Sequence, residues 1–120
     1  MTVSVAYMTV DCDDVAAVAE FWSAALDLPV DPEPSPYFAS VNRHGPDLPR
    51  FLFLKVPEGK SAKNRMHLDL VVENSGSRAD EVARLVDLGA THIADKDEWG
   101  HSWAVLTDPE GNEFCLAAKS

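Results

Sequence analysis

Five side chains carry the types and spacings from which chemistry could be built: His67, Asp69, His101, Glu113 and Cys115. The run "MHLDLVV" sets an imidazole and a carboxylate two residues apart. On a strand, residues two apart share a face. His67 and Asp69 can then act together on one bound molecule as general acid and base, the work of an isomerase, epimerase or cyclase. His101, in "HSWAVLT", is a further candidate for the same role, and Glu113 has the parity of Cys115 in "EFCLAA". An acid in the middle of an apolar strand needs a partner, and His67, Lys63 or Arg65 could serve Asp69. No glycine-rich phosphate loop, serine triad or dinucleotide fingerprint is found.

The elements that must position these groups are legible from periodicity. Val3, Val5, Tyr7 and Thr9 alternate with Ser4, Ala6, Met8 and Val10, which predicts a strand covered on both faces. Asp13 or Asp14 can cap a helix whose apolar stripe is Val15, Val18, Ala19, Trp22, Ala25 and Leu26, stopped at "LDLPV" by Pro29. After the proline-rich "PVDPEPSPY", "YFASVN" and "RFLFLKV" read as strands around a loop. The pattern then restarts. "MHLDLVV" is a strand, and "NSGS" leads into a helix with Ser77 and Asp80 spaced as a capping box. Its stripe is Val82, Leu85 and Val86, and Gly89 stops it. "THIAD", "HSWAVLT" and "EFCLAA" are three more strands. Tyr7 to Leu26 and His67 to Leu88 span nearly equal lengths, which suggests an internal duplication.

The bulk numbers fit one ordinary domain: 120 residues, 46% hydrophobic and 25% charged. A net charge of −10 argues against nucleic acid or an anionic membrane as partner. Two cysteines and no basic leader predict free thiols and a cytoplasmic protein. No apolar run approaches membrane-spanning length.

Three segments carry a family resemblance: "FWSAALDLPV", "VPEGKSAKNRMHLDL" and "DPEGNEFCL". The chain resembles the vicinal-oxygen-chelate superfamily, in its glyoxalase-like subgroup, across essentially its whole length. Glyoxalase I, the bleomycin- and fosfomycin-resistance proteins and the extradiol dioxygenases share that fold. The resemblance implies an α+β domain over 1–120. Two βαβββ modules (about 1–58 and 65–120, linker about 59–64) would curl a mixed sheet around a cleft with the helices outside. It implies a homodimer and a small-molecule ligand. It also implies that metal-binding members take ligands at the places held here by Tyr7, Leu54, His67 and Cys115, on strands lying side by side.

That ligand set is depleted. Leucine cannot ligate, and tyrosine does so only as phenolate, with a reference pKa of about 10. His67 and Cys115 alone are too few for zinc. A His67, His101 and Glu113 set would complete it, but no spacing rule supports one. The expectation is no metal and no other cofactor. A thiol beside an imidazole can be a nucleophile, although a cysteine in "FCLAA" is more often inert. Parity aims Tyr7, Thr9, His67, Asp69, Trp103, Glu113 and Cys115 into the cleft, with Leu54 beside them and Trp99 on a loop able to cover it. Such a lining suits a small hydrophobic or aromatic molecule. Three functions stay open: a metal-free binding protein, favoured by the missing ligands; a metal-free acid–base enzyme using His67; and a metal-dependent lyase or dioxygenase.

Overall fold

Asp14 opens the first helix by accepting a hydrogen bond from the Ala17 N–H at 3.1 Å, as an N-cap acid should. In the computed structural model, which describes residues 2–73 and 76–118, the chain forms two compact units, Met1–Gly59 and Lys60–Ser120. Each is a small open sheet with one helix on one face. The fold class is α+β, with parallel and antiparallel pairs in both sheets.

The first unit contains β1 (Met8–Cys12), α1 (Val15–Leu26), β2 (Phe38–Val41) and β3 (Phe51–Lys55), in the order β1-β3-β2. The predicted strand from Val3 is shorter than expected. Residues 2–7 lack strand structure, and Val3 and Val5 are exposed. The register pairs Met8 with Phe51, so the chain facing Ala6 would be Pro49, which has no N–H to give. A fourth strand is reduced to one bridge, Val30 to Val41. Pro29, Pro32, Pro34 and Pro36 remove the donors a longer ladder would use. The core is an aromatic chain from α1 into β3. Phe21 meets Trp22 edge-on at 5.2 Å, Trp22 stacks on Phe51 at 6.0 Å, and Phe51 on Phe53 at 5.7 Å.

The second unit contains β4 (Leu68–Val72), α2 (Arg78–Leu88), β5 (Thr91–Glu98), β6 (His101–Thr107) and β7 (Glu113–Ala118), in the order β4-β7-β6-β5. This is the complete βαβββ pattern. Ser77 caps α2 by accepting from the Asp80 N–H, and Gly89 ends it. Of the predicted "NSGS" lead-in, Asn74 and Ser75 lie outside the described residues. The α2 stripe is thinner than predicted: Leu85 is buried, Val82 half-buried and Val86 exposed. Ala104, Leu106, Phe114 and Leu116 are buried, as alternation required. β5 runs on past "THIAD" to Glu98 and meets β6 through Trp99 and Gly100, at φ 53° and 77°. Two consecutive left-handed residues make the tight turn that suits hairpin twist. No helix among the described residues is long and apolar enough to cross a membrane.

The two units share a pairing pattern. Met8 and Leu68 each open the first strand of a unit, and they face Phe51 and Phe114.

The β6–β7 turn is held by a buried carboxylate. Asp108, 2% exposed, accepts from the backbone N–H groups of Glu110 and Asn112 and from the Asn112 side-chain amide. Replacement by alanine leaves these donors unmet. Asp108→Ala is expected to lower unfolding free energy by about 2–3 kcal/mol, measured by urea denaturation; a change within error would show that the turn holds itself.

Candidate functional site

The face of the second sheet away from α2 collects the chemistry. Asp69 and Cys115 are direct register partners on β4 and β7, and Val105 of β6 faces Cys115 from the other side. His67 lies one residue before β4, two before Asp69. Its Nδ1 is 3.1 Å from Asp69 Oδ1. The three donor atoms of His67, Asp69 and Cys115 all lie within 4.8 Å of one another. Next along the same face come Val71, Ala117 and Trp103, in register across three strands. Trp103 and Ala117 are half-buried and Val71 is exposed. A polar triangle thus borders an apolar floor.

Solvent reaches the triangle. The Asp69 side chain is 74% exposed and that of His67 is 40% exposed. Of the three partners the sequence offered Asp69, His67 is the one in contact with it, although Asp69 is not buried. Burial pushes the Cys115 thiol up from its ordinary value, and the Asp69 carboxylate adds to this; the Lys63 ammonium pulls the other way. A raised thiol is protonated at neutral pH. The nucleophilic pairing of Cys115 with His67 is therefore disfavoured, because the imidazole touches a carboxylate and the Lys63 ammonium does not outweigh burial and Asp69.

The remaining predicted residues are placed as follows. Glu113 lies at the start of β7 and is bound to Lys60 Nζ at 3.0 Å and to the Asn64 N–H at 2.8 Å. His101 is not gathered with His67. It pairs in register with Glu98 at the hairpin end of β6, whereas Glu113 faces Thr107 at the other end. The set of His67, His101 and Glu113 is thus not assembled. Trp99 stands at the hairpin tip, 88% exposed. Tyr7, Thr9 and Leu54 belong to the first unit, Tyr7 just ahead of β1 and Thr9 on it. Leu54 faces Asp11, and the residue in the place of Cys115 is Leu52, which follows Phe51 as Cys115 follows Phe114. The variable loop before β3 hid that two-residue offset. A groove of about 660 Å³ in the first unit, lined by Asp14, Pro34, Pro36 and Tyr37 among others, was not anticipated. Its Lys55 is taken up by Asp13 at 3.1 Å.

The donors decide which ion they fit. One carboxylate, one imidazole and one sulfur are a poor cage for magnesium, calcium or manganese, which want several oxygens. Zinc accepts all three types and needs about three of them with a fourth position open. Asp69 is the donor that the sequence reading left out of its count, because pairing with His67 accounted for it. His67, Asp69 and Cys115 would hold a zinc ion, which would act there as a Lewis acid.

The glyoxalase-like domain family matches residues 7–117. The chain belongs to this family. Solved structures with the same fold include a glyoxalase/bleomycin resistance protein/dioxygenase family enzyme from Burkholderia phytofirmans PsJN, at 22% identity and TM-score 0.75, with 94% of this chain and 96% of that chain covered. A hypothetical protein from S. aureus gives 12% identity and TM-score 0.75 over 99% and 96%. The fosfomycin resistance protein of Listeria monocytogenes gives 11% and 0.72 over 100% and 96%. At these identities the likeness is one of fold. No curated protein matches the chain in sequence.

Two measurements test the site's electrostatics. The Cys115 thiol should alkylate with iodoacetamide at pH 7.5 no faster than a free thiol, read by mass spectrometry; faster reaction would restore the nucleophile. For Glu113, burial raises the pKa, but the Asn64 N–H and the Lys60 ammonium outweigh it, so the net shift is downward from 4.5. A lowered carboxylate stabilises the fold above its ordinary pKa and loses that contribution as pH falls through the folded value. The stability gap between wild type and Glu113→Gln should be open at pH 7 and close below about pH 4. An unchanged gap at pH 3 in urea unfolding would contradict the assignment.

Proposed function

We propose that the second sheet's open face binds a small, partly aromatic organic molecule, and that His67, oriented by Asp69, moves a proton on it. The observation that carries this is the 3.1 Å contact between His67 Nδ1 and Asp69 Oδ1 beside the apolar floor of Trp103, Val71 and Ala117.

A carboxylate at Nδ1 favours the tautomer with its proton there and the lone pair on Nε2. It also offsets the charge when the imidazole takes up a second proton. Nε2 can accept a proton from one atom of the ligand and return it to another, so nothing is oxidised and the imidazole ends as it began. An imidazole is a weak base. It suits a C–H already acidified by adjacent carbonyl groups. The sheet floor offers flat contact for the rest of the molecule, and Trp103 gives it a ring to stack on. Cys115 keeps its proton and fills the wall between acid and floor.

Sequestration without turnover is the second reading, supported by the same aromatic floor. A thermal-shift screen of aromatic ketones and 1,3-dicarbonyl compounds, run in EDTA, would find ligands. A hit incubated in D₂O should gain deuterium at its acidic carbon, and His67→Ala should slow this by about 10²–10⁴-fold. Asp69→Asn should slow it less and leave binding intact. A ligand that binds and emerges without deuterium would overturn proton transfer and leave sequestration.

A further inference from the structure

We propose that the groove of the first unit binds a small organic cation, an alkylated ammonium group carried on an apolar body. The groove shares no residue with the open face of the second sheet, so this goes beyond the proton-transfer reading and does not depend on it.

The groove opens where two parallel strands end. Cys12 and Lys55 face each other at the last positions of β1 and β3, and α1 starts at Val15. Ligands of open sheets commonly settle outside the carboxyl ends of parallel strands. About 660 Å³ lies here, within the range of small-molecule sites.

One wall is an ordered turn. Ser35 and Phe38 exchange backbone hydrogen bonds of 2.7 and 3.3 Å, with Pro36 and Tyr37 between them. Proline suits the second position of such a turn, because its φ is already fixed. The Tyr37 N–H donates to Ser35 Oγ at 3.2 Å, and the Tyr37 carbonyl accepts from the Lys55 N–H at 3.0 Å. The backbone of Tyr37 is thus held on both sides, yet the residue is 71% exposed. The fold presents this ring to the groove and does not bury it. Pro34 and Pro36 add stiff apolar surface beside it, which loses little freedom when a ligand binds.

Charge selects the occupant. Asp13 and Asp14 line the groove against one cation, Lys55. Lys55 Nζ is already engaged by Asp13, whose carbonyl accepts at 2.9 Å and whose Oδ1 accepts at 3.1 Å. The start of α1 contributes about half a positive charge. Two carboxylates exceed that half charge and one ammonium together, so the groove is net negative. The chain's overall charge of −10 has the same sign. An anion is repelled. A cation over the Tyr37 ring gains from the ring quadrupole and from the carboxylates at once, and alkyl groups on its nitrogen can also touch the prolines.

The test is a titration of the full chain with benzyltrimethylammonium, followed by amide NMR. Saturable shifts are expected at Val15, Tyr37 and Lys55, with a Kd on the order of 1 mM, and none at Asp69 or Cys115. Benzyl alcohol, with the same ring and no charge, should bind at least about fivefold more weakly. Benzoate should not saturate. Tyr37→Leu should weaken cation binding about fivefold, whereas Tyr37→Phe should stay within about twofold of wild type. Asp14→Asn keeps the helix cap and removes a charge. It should weaken binding about threefold in low salt and hardly at all in high salt. Unfolding curves check that each variant is folded. Equal affinity for benzyl alcohol, no saturable shift in the first unit, or a Tyr37→Leu protein that binds like wild type would overturn the site. Deuterium exchange at the second sheet is measured separately, so either idea can fail alone.

Discussion

The buried carboxylate of Asp108 helps set which face of the second sheet presents Cys115 beside Asp69. It gathers two backbone N–H groups and one side-chain amide into the turn between β6 and β7. That turn sets β7 in register with β6 and, through it, with β4. A slip of one residue would send Cys115 under α2 and turn Phe114 and Leu116 to solvent. The contact between Asp69 and Cys115 thus begins seven residues upstream of the cysteine, in a hydrogen-bonded turn that touches neither. The apolar core enforces the same choice, since Phe114 and Leu116 are nearly fully buried. Turn chemistry and hydrophobic alternation agree, as they must in a sequence that specifies one structure.

The two units solve the same problem with different materials. The first buries four aromatic rings between α1 and β3 and leaves its outer strand as a single bridge. The second keeps all its strands but packs α2 through little more than Leu85. The two frames are alike in pairing, and proline placement and core composition separate them. The cluster of His67, Asp69 and Cys115 lies in the unit with the complete sheet. Leu52 stands where the second unit has Cys115, and Thr9 where it has Asp69.

Much of this was legible in the sequence because alternation is a strong signal. β6 and β7 lie on their predicted residues, and so do the caps Ser77 and Gly89. The faces of Ala104, Leu106, Phe114 and Leu116 follow from parity alone. The pairing of His67 with Asp69 was readable for the same reason. Other features depended on information a single strand does not hold. The early end of pairing at β1 is set by Pro49, distant in sequence. The offset between Leu52 and Leu54 is a matter of register across a loop of variable length. His101 has a plausible parity, but its place along β6 is fixed by pairing with Glu98, which puts it at the wrong end of the sheet. Parity names a face, and only register names a position on it.

The three tryptophans occupy three different settings. Trp22 is sealed in the aromatic core of the first unit, Trp103 is half-buried on the open face of the second, and Trp99 stands in solvent at a left-handed hairpin tip. The molecule therefore carries its own set of optical reporters, with indole environments ranging from dry to fully wet. Substituting Trp99, which packs against little, would strip away the constant aqueous background. The emission left would separate melting of one core from occupancy of the other unit's sheet, without any dye attached.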